Sequence, residues 1–241
     1  MNLRGWRDDE ASVSVAHVTI AIDGPAASGK STVAKAVARR LGLMIVDSGS
    51  MYRAVTLLAL ERGLGGDADA LGAVAKEVSA GYRLEQGDSG SLRVFLGPRD
   101  VTREIRSPEV GDAVSPVSEV AAVRVEMVRL QREMVEGKGA VVEGRDIGTT
   151  VLPDAELKIF LEAAEEERAR RRLEELRLLG MRVEDDLVAG ELRRRDAIDS
   201  SRELSPLKAA EDAVVIDTTG KPVDEVTDEV LRLAAERGIL P

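Results

Sequence analysis

The most explicit chemistry in this chain lies in Gly24-Pro25-Ala26-Ala27-Ser28-Gly29-Lys30-Ser31, followed by Thr32. These residues fit the phosphate-binding pattern G-x-x-x-x-G-K-[ST] at every fixed position. The glycines let backbone N–H groups wrap a polyphosphate, Lys30 can neutralise the β- and γ-phosphates, and the Ser31 hydroxyl can ligate Mg²⁺. Such a loop works between a strand and a helix, where the helix N-terminus adds its dipole. Residues 17–23 form a β-branched run that reads as a buried strand. Val33, Ala34, Val37 and Leu41 recur at helical spacing, and Gly42 then serves as a C-cap. The stretch predicts a bound nucleoside triphosphate and leaves its fate open.

Other candidate groups are mostly arginines. Only seven of the 34 basic residues are lysines, and arginine presents a planar fork of donors that fits phosphate oxygens bidentately. From Glu165 to Glu203 the chain holds ten arginines, twelve acids and no lysine, so the net charge there is −2. This composition predicts an ion-laced helical hairpin. The clusters Arg168 to Arg172 and Arg193 to Arg195 are dense enough that internal pairing is not expected to absorb them; a single arginine here reads equally as part of a solvated face, while the clusters together favour phosphate clamping. Tyr52 and Arg53 fall just after a predicted strand end, where open α/β sheets bind their ligands.

Composition removes several chemistries. With no cysteine there is no disulfide scaffold, thiolate zinc site or thiol nucleophile, and one histidine, His17, cannot build a triad or a multi-histidine metal site. A formal charge of −10 argues against a general nucleic-acid binder. No apolar run reaches bilayer length. Residues 1–16 are charged, without an apolar core, and are expected to be a disordered leader, not a signal peptide. A cytoplasmic, monomeric protein with no membrane or nucleic-acid partner is the expectation.

The elements that must position these groups alternate in type. Residues 43–46, 140–143, 157–161 and 213–217 read as further short strands, which with the first make a five-stranded parallel sheet flanked by helices, an α/β fold. Ser50 is the candidate N-cap of a helix running to Gly63, with Tyr52 and Arg53 in its first turn. Residues 67–80 suggest another helix. Tyr82 to Gln86 and Leu92 to Leu96 flank a glycine-bearing turn and predict an inserted antiparallel hairpin. Ser107-Pro108-Glu109 starts a helix, and Val120, Val123, Met127, Leu130 and Met134 mark a long apolar stripe ending near Gly137. Residues 222–237 form a closing helix.

Among triphosphate users, a Ras-like GTPase is excluded by the missing N-K-x-D string. Val46-Asp47 and Ile216-Asp217 are weak Mg²⁺ sites for a motor ATPase. A small-molecule kinase remains. If its acceptor is a phosphate, the attacking oxygen is already ionised at pH 7 and no general base is needed. Such an enzyme needs cancelled repulsion, in-line positioning and exclusion of water.

At this point the residues reach a family. Ile22-Asp23-Gly24-Pro25 resembles the entry to the phosphate loop of nucleoside monophosphate kinases. Asp47-Ser48-Gly49-Ser50-Met51-Tyr52-Arg53, Glu143-Gly144-Arg145-Asp146-Ile147-Gly148-Thr149 and Arg195-Asp196-(x)₂-Asp199-(x)₂-Arg202 together resemble bacterial-type cytidylate kinase, from about residue 18 to the C-terminus. The resemblance implies ATP and Mg²⁺ as cofactors and CMP and dCMP as acceptors. It implies that Ser48 and Tyr52 line the monophosphate pocket and that Arg53, Arg145 and Arg202 hold the acceptor phosphate. Ser115, Arg124 and Asp146 would read the cytosine edge, and Arg195 and Asp199 the ribose. A competing role for Asp146 is to anchor Arg145. The catalytic set is then Lys30, Arg53, Arg145, Asp146 and Arg202, with residues 24–32, Arg168 and Arg172 on the ATP. The implied organisation is a kinase domain over 17–241. Its core would be 17–50, 138–163 and 205–241, its monophosphate-binding insertion 51–137 and its lid 164–204. Alternatives are another small kinase, for a different monophosphate or for shikimate, and a nucleotide-binding regulator without turnover.

Overall fold

A computed structural model describes residues 17–87, 91–178, 180 and 184–239. The expected leader and the hairpin tip at 88–90 lie outside the described residues. Five short strands form one parallel sheet: β1 (Thr19–Asp23), β2 (Met44–Asp47), β6 (Ala140–Glu143), β7 (Leu157–Glu162) and β8 (Val214–Asp217). Their spatial order is β2-β6-β1-β7-β8. Alternation sends side chains to opposite faces, and both faces are apolar, as expected of a buried parallel sheet. Ile20, Ile22, Ile45 and Val141 pack with α1 (Lys30–Leu41) and α8 (Val223–Glu236). On the other face Ala21, Val46, Ala140 and Val142 meet α2 (Ser48–Glu61), α3 (Ala68–Gly81), α4 (Pro108–Glu119) and α5 (Ala121–Val135). The sheet is thus covered on both sides, and its C-terminal edge is left open for the loops.

Three departures from the sequence reading have physical causes. Helix α2 begins at Ser48, and its N-cap is Asp47, whose carboxylate accepts the Ser50 N–H at 3.0 Å. Ser50 is no cap: its hydroxyl donates to the Asp47 carbonyl at 2.6 Å and pairs with the Tyr82 hydroxyl at 2.6 Å. Tyr52 and Arg53 consequently enter the second turn. The stripe after Ser107 is divided between α4 and α5 by one extended residue, Val120 (φ −64°, ψ 118°). Both helices bury the same face, so periodicity does not register the break. The predicted hairpin, β3 (Tyr82–Gln86) with β4 (Leu92–Leu96), gains a short third strand, β5 (Arg99–Asp100). His17 is exposed and precedes β1.

The arginine-rich segment folds as a helical hairpin of α6 (Glu165–Leu178) and α7 (Asp185–Ser201), with Leu173, Leu176, Val188 and Leu192 between them. Contrary to the density argument, its arginines are largely paired. Arg170 and Arg171 bond Glu167 at 2.8 and 2.9 Å, Arg172 bonds Glu175 at 2.9 Å and Arg195 bonds Glu191 at 3.4 Å. Arg168 pairs with Asp196 and Arg193 with Glu165 across the two helices. Spacing along one helix cannot see those cross-hairpin acids. Arg194 reaches outside the segment, to Asp112 of α4 at 2.9 Å.

Gly24, at the exit of β1, has φ 145°, and a β-carbon there would lie 2.0 Å from the Leu161 carbonyl oxygen. Backbone cannot yield as a side chain does. Gly24→Ala should therefore lower stability by about 3 kcal/mol or more, whereas Gly190→Ala, inside α7 with open space around it, should raise it by about 0.5–1 kcal/mol. Thermal unfolding of the two variants checks both signs.

Candidate active site

Helix α1 opens on Gly29 in the left-handed region (φ 94°), with no side-chain cap and no acid in its first turn. Its leading N–H groups are therefore unclaimed by the chain's own side chains and concentrate positive potential. Ala27, a non-glycine residue at φ 58°, keeps the preceding loop curled. Strain of this kind collects at sites that grip a ligand. Lys30 is buried and folds back to the Pro25 carbonyl at 2.6 Å. Burial, and then Arg145, push its ammonium well below the usual lysine range.

This loop is one end of a cavity of about 630 Å³ that also receives α2, α4, α5, α6, α7 and the residues after β6. Residues 26–32, Ser48, Tyr52, Arg53, Ser115, Arg124, Arg145, Asp146, Arg172, Arg195, Asp199 and Arg202 all line it. Topology explains how residues so distant in sequence meet. β1 and β6 are neighbours, so the loops leaving their C-terminal ends stand side by side.

Three predicted residues do not line the cavity. Gly24 and Pro25 form the inner wall of the loop. Arg168 is turned into the protein, where it donates to the Ala26 carbonyl at 3.3 Å, to the Ala163 carbonyl at 3.2 Å and to Asp196. It braces the phosphate loop against α6.

On the far side the charged groups form a closed ring. Arg124 and Asp146 make a buried ion pair. Arg124 also donates to the Ser118 carbonyl at 3.5 Å, and Arg202 to the Ser118 hydroxyl at 3.3 Å. Arg202 continues to the Asp199 carbonyl at 3.3 Å, and the Asp199 carboxylate receives Arg145 at 3.0 Å. Arg145 is adjacent in sequence to Asp146, which closes the ring. Burial alone would raise Asp199, but Arg145 and Arg202 hold its carboxyl below the usual range. Asp146 does not anchor Arg145; the carboxylate that does so is Asp199. The Tyr52 ring lies against Arg124, with the guanidinium carbon 5.8 Å from the ring centroid.

Arg53 donates to the Ile105 carbonyl at 3.2 Å and forms no ion pair among the described residues. Burial, then Arg195 and Arg172, lower its affinity for its proton. Among the described residues Arg172 has no partner for its buried Nε and Nη2, and Arg195 none for its Nε. Three crowded guanidiniums with spare donors are a receptor for an anion.

Sequence reasoning missed several residues here. Arg106 lines the cavity beside Arg53 and was hidden among neighbouring surface charges. Glu143 ends β6, is fully enclosed, and is raised by burial and by the nearby Asp47 carboxylate. Ser31 lines the same cavity. Thr218, buried after β8, donates to the Ser28 carbonyl at 3.0 Å and accepts Arg171 at 2.9 Å, tying α6 to the phosphate loop. Asp23 accepts two backbone N–H groups, and burial pushes its carboxyl up to about 6. A buried carboxylate on a strand end was the available signal for both acids.

The chain is similar to known proteins. The family model described as Cytidylate kinase matches residues 20–236. A cytidylate kinase of Bacillus licheniformis is 49% identical over 219 residues, covering 90% of this chain and 96% of that protein. One from Pelotomaculum thermopropionicum is 50% identical over 220 residues, with 90% and 96% covered. Among solved structures, an uncharacterized protein from Eubacterium ventriosum superposes with a TM-score of 0.52 at 14% identity, covering 91% of this chain and 99% of its own. That likeness speaks to the fold alone.

Removing one partner of a buried ion pair leaves an uncompensated charge. Arg124→Met should therefore cost about 3–5 kcal/mol, and the double variant Arg124→Met/Asp146→Leu should recover much of that loss. Urea unfolding of the single and double variants checks this.

Proposed function

We propose a division of labour among these residues from the premise that this chain belongs to the cytidylate kinase family. The enzyme transfers the γ-phosphoryl group of ATP to CMP or dCMP, giving ADP and CDP or dCDP. The observation that carries the mechanism is that one cavity joins a phosphate loop at one end to a ring of fixed guanidiniums at the other. Two polyanions can meet there with their repulsion cancelled.

On the donor side, the N–H groups of residues 26–32 and the Lys30 ammonium hold the β- and γ-phosphates. Thr218 and Arg171 keep that loop and α6 in register. The Ser31 hydroxyl, on a cavity wall that also carries Glu143, fits Mg²⁺, a hard cation that takes oxygen ligands. Among the described residues no cluster of three or more acidic, histidine or cysteine side chains could hold a metal by itself. Bound beside Ser31, Mg²⁺ would neutralise charge on the transferring group.

On the acceptor side, Arg53, Arg145 and Arg202 grip the monophosphate, with Arg106 beside them and Arg172 approaching from α6. An acceptor oxygen, already ionised at neutral pH, attacks the γ-phosphorus in line as the bond to the ADP oxygen breaks. No side chain has to take a proton. Ser48 and Tyr52 wall the pocket, and Arg195 and Asp199 meet the ribose. Asp146 and Ser115 accept from the cytosine amino group, while Arg124 donates to the ring N3. Residues 164–204 act as the lid, 51–137 as the acceptor-binding insertion, and 17–50, 138–163 and 205–241 as the core.

We also read the protein as a cytoplasmic monomer; among the described residues no helix is long and apolar enough to cross a membrane.

Purified protein with Mg-ATP and each of CMP, dCMP, UMP, AMP, GMP and shikimate should form ADP fastest with CMP or dCMP, and slowly with no acceptor present. Lys30→Ala should lose at least about a thousandfold in rate while remaining folded. Binding of ATP without turnover on any acceptor would instead favour a regulator.

Asp146→Asn tests the base contacts, because an amide can turn its N–H toward the uracil carbonyl. The ratio of kcat/KM for CMP to that for UMP should fall about tenfold or more. Equal losses on both substrates would assign Asp146 to scaffolding.

A further inference from the structure

Asp23 is the last residue of β1 and is 4% exposed, yet it does not line the cavity. Its Oδ1 accepts the Ile147 N–H at 2.8 Å and its Oδ2 accepts the Gly148 N–H at 2.7 Å. Those two residues open a single wide turn, Ile147–Val151, directly after Arg145 and Asp146. Parallel pairing between β1 and β6 runs from Thr19↔Ala140 to Ile22↔Glu143, and the Gly144 N–H to the Ile22 carbonyl, at 3.0 Å, is its last backbone tie. Beyond that point the chain leaves the sheet. The Asp23 side chain continues the cross-strand tie where backbone pairing stops.

The turn is held from its other side as well. A β-carbon on Gly148 would meet the Lys158 Cδ at 3.2 Å and the Asp23 Oδ2 at 3.4 Å. Lys158 is itself fixed by Asp212, both of whose oxygens accept its ammonium at 2.9 Å. A carboxylate is the one side chain of this size with two acceptor oxygens. An amide offers one, and would turn its own N–H against the second donor.

We propose that Asp23 is a positioning residue: through the Ile147 and Gly148 N–H groups it suspends loop 144–148, so that Arg145 meets the acceptor phosphate and Asp146 meets Arg124 and the base. It touches no substrate. The proposal rests on the reading of Arg145 and Asp146 as acceptor-binding residues. It couples the strand that launches the donor loop to the loop that reads the acceptor.

The decisive variant is Asp23→Asn, assayed at pH 8, where the native carboxyl is ionised. The CMP KM should rise at least about tenfold, with the dissociation constant for Mg-ATP, measured by equilibrium binding, within about threefold of the native value. Arg145→Lys should cost at least about fivefold less in kcat/KM in the Asp23→Asn background than alone, because the arginine is then already misplaced. A loss confined to ATP binding would overturn the proposal and assign Asp23 to the phosphate loop. Independent, multiplicative effects of the two substitutions would overturn it too. Amide exchange in the unaltered protein needs no variant: Ile147 and Gly148 should be protected at least about a hundredfold relative to an unstructured chain. Rapid exchange at both would overturn the proposal even if Asp23→Asn does not fold. Failure of the unaltered enzyme to phosphorylate CMP would reject the functional reading instead, leaving the exchange result interpretable.

Discussion

A guanidinium withdrawn from water must be paired or aimed at an anion, and this cavity is built around that requirement. Among the described residues, basic side chains lining it outnumber acidic ones two to one, in a chain whose net charge is −10. The acids present are placed as braces. Asp199 steadies Arg145 and Arg202, Asp146 steadies Arg124, and Glu175 and Glu191 hold one donor each of Arg172 and Arg195. Each arginine is oriented without being neutralised completely. Arg172, Arg195 and Arg202, which keep unpartnered buried donors among the described residues, all line the cavity. Preorganised charge of this kind avoids the reorganisation that water would require during transfer.

The parallel sheet makes that arrangement possible. The loops 24–29 and 144–148 leave adjacent strands at the same edge, although they are separated by more than a hundred positions of sequence. Helices α4 and α5 supply Ser115 and Arg124 from one side, and α6 and α7 supply Arg172, Arg195 and Asp199 from the other. Val120 deserves its place between α4 and α5. By turning the chain once, it lets Ser118 and Arg124 meet at the ring although both helices bury a common apolar face.

Much of this was legible before any coordinates. The phosphate loop, the five sheet strands and the hairpin insertion follow from local periodicity and from the fixed spacing of glycine, lysine and serine, all short-range properties. The charged ring was less so, because ion pairing is a property of three-dimensional neighbours. Arg168 read as a phosphate ligand from density and from the implied lid, and the acid that meets it, Asp196 on the other helix, is invisible to spacing along one helix. Ser50 read as a cap by residue preference, but Asp47 three positions earlier caps the helix by accepting Ser50's own N–H. Glu143 and Asp23 went unassigned because a lone acid at a strand end has no distinctive spacing. Its meaning comes from the donors that surround it.

The contact between Arg194 and Asp112 has a consequence for the pace of the catalytic cycle. Both side chains are more than half exposed, so the pair contributes at most about 1 kcal/mol and is screened by salt. A clasp that weak does little to delay opening. If a buried pair stood in its place, dissociation of the products would have to wait for a costly separation of charges. With a solvated one, that contact adds little to the cost of separating α7 from α4, and the stronger tie at this seam is the buried bond from Arg202 to the Ser118 hydroxyl at 3.3 Å.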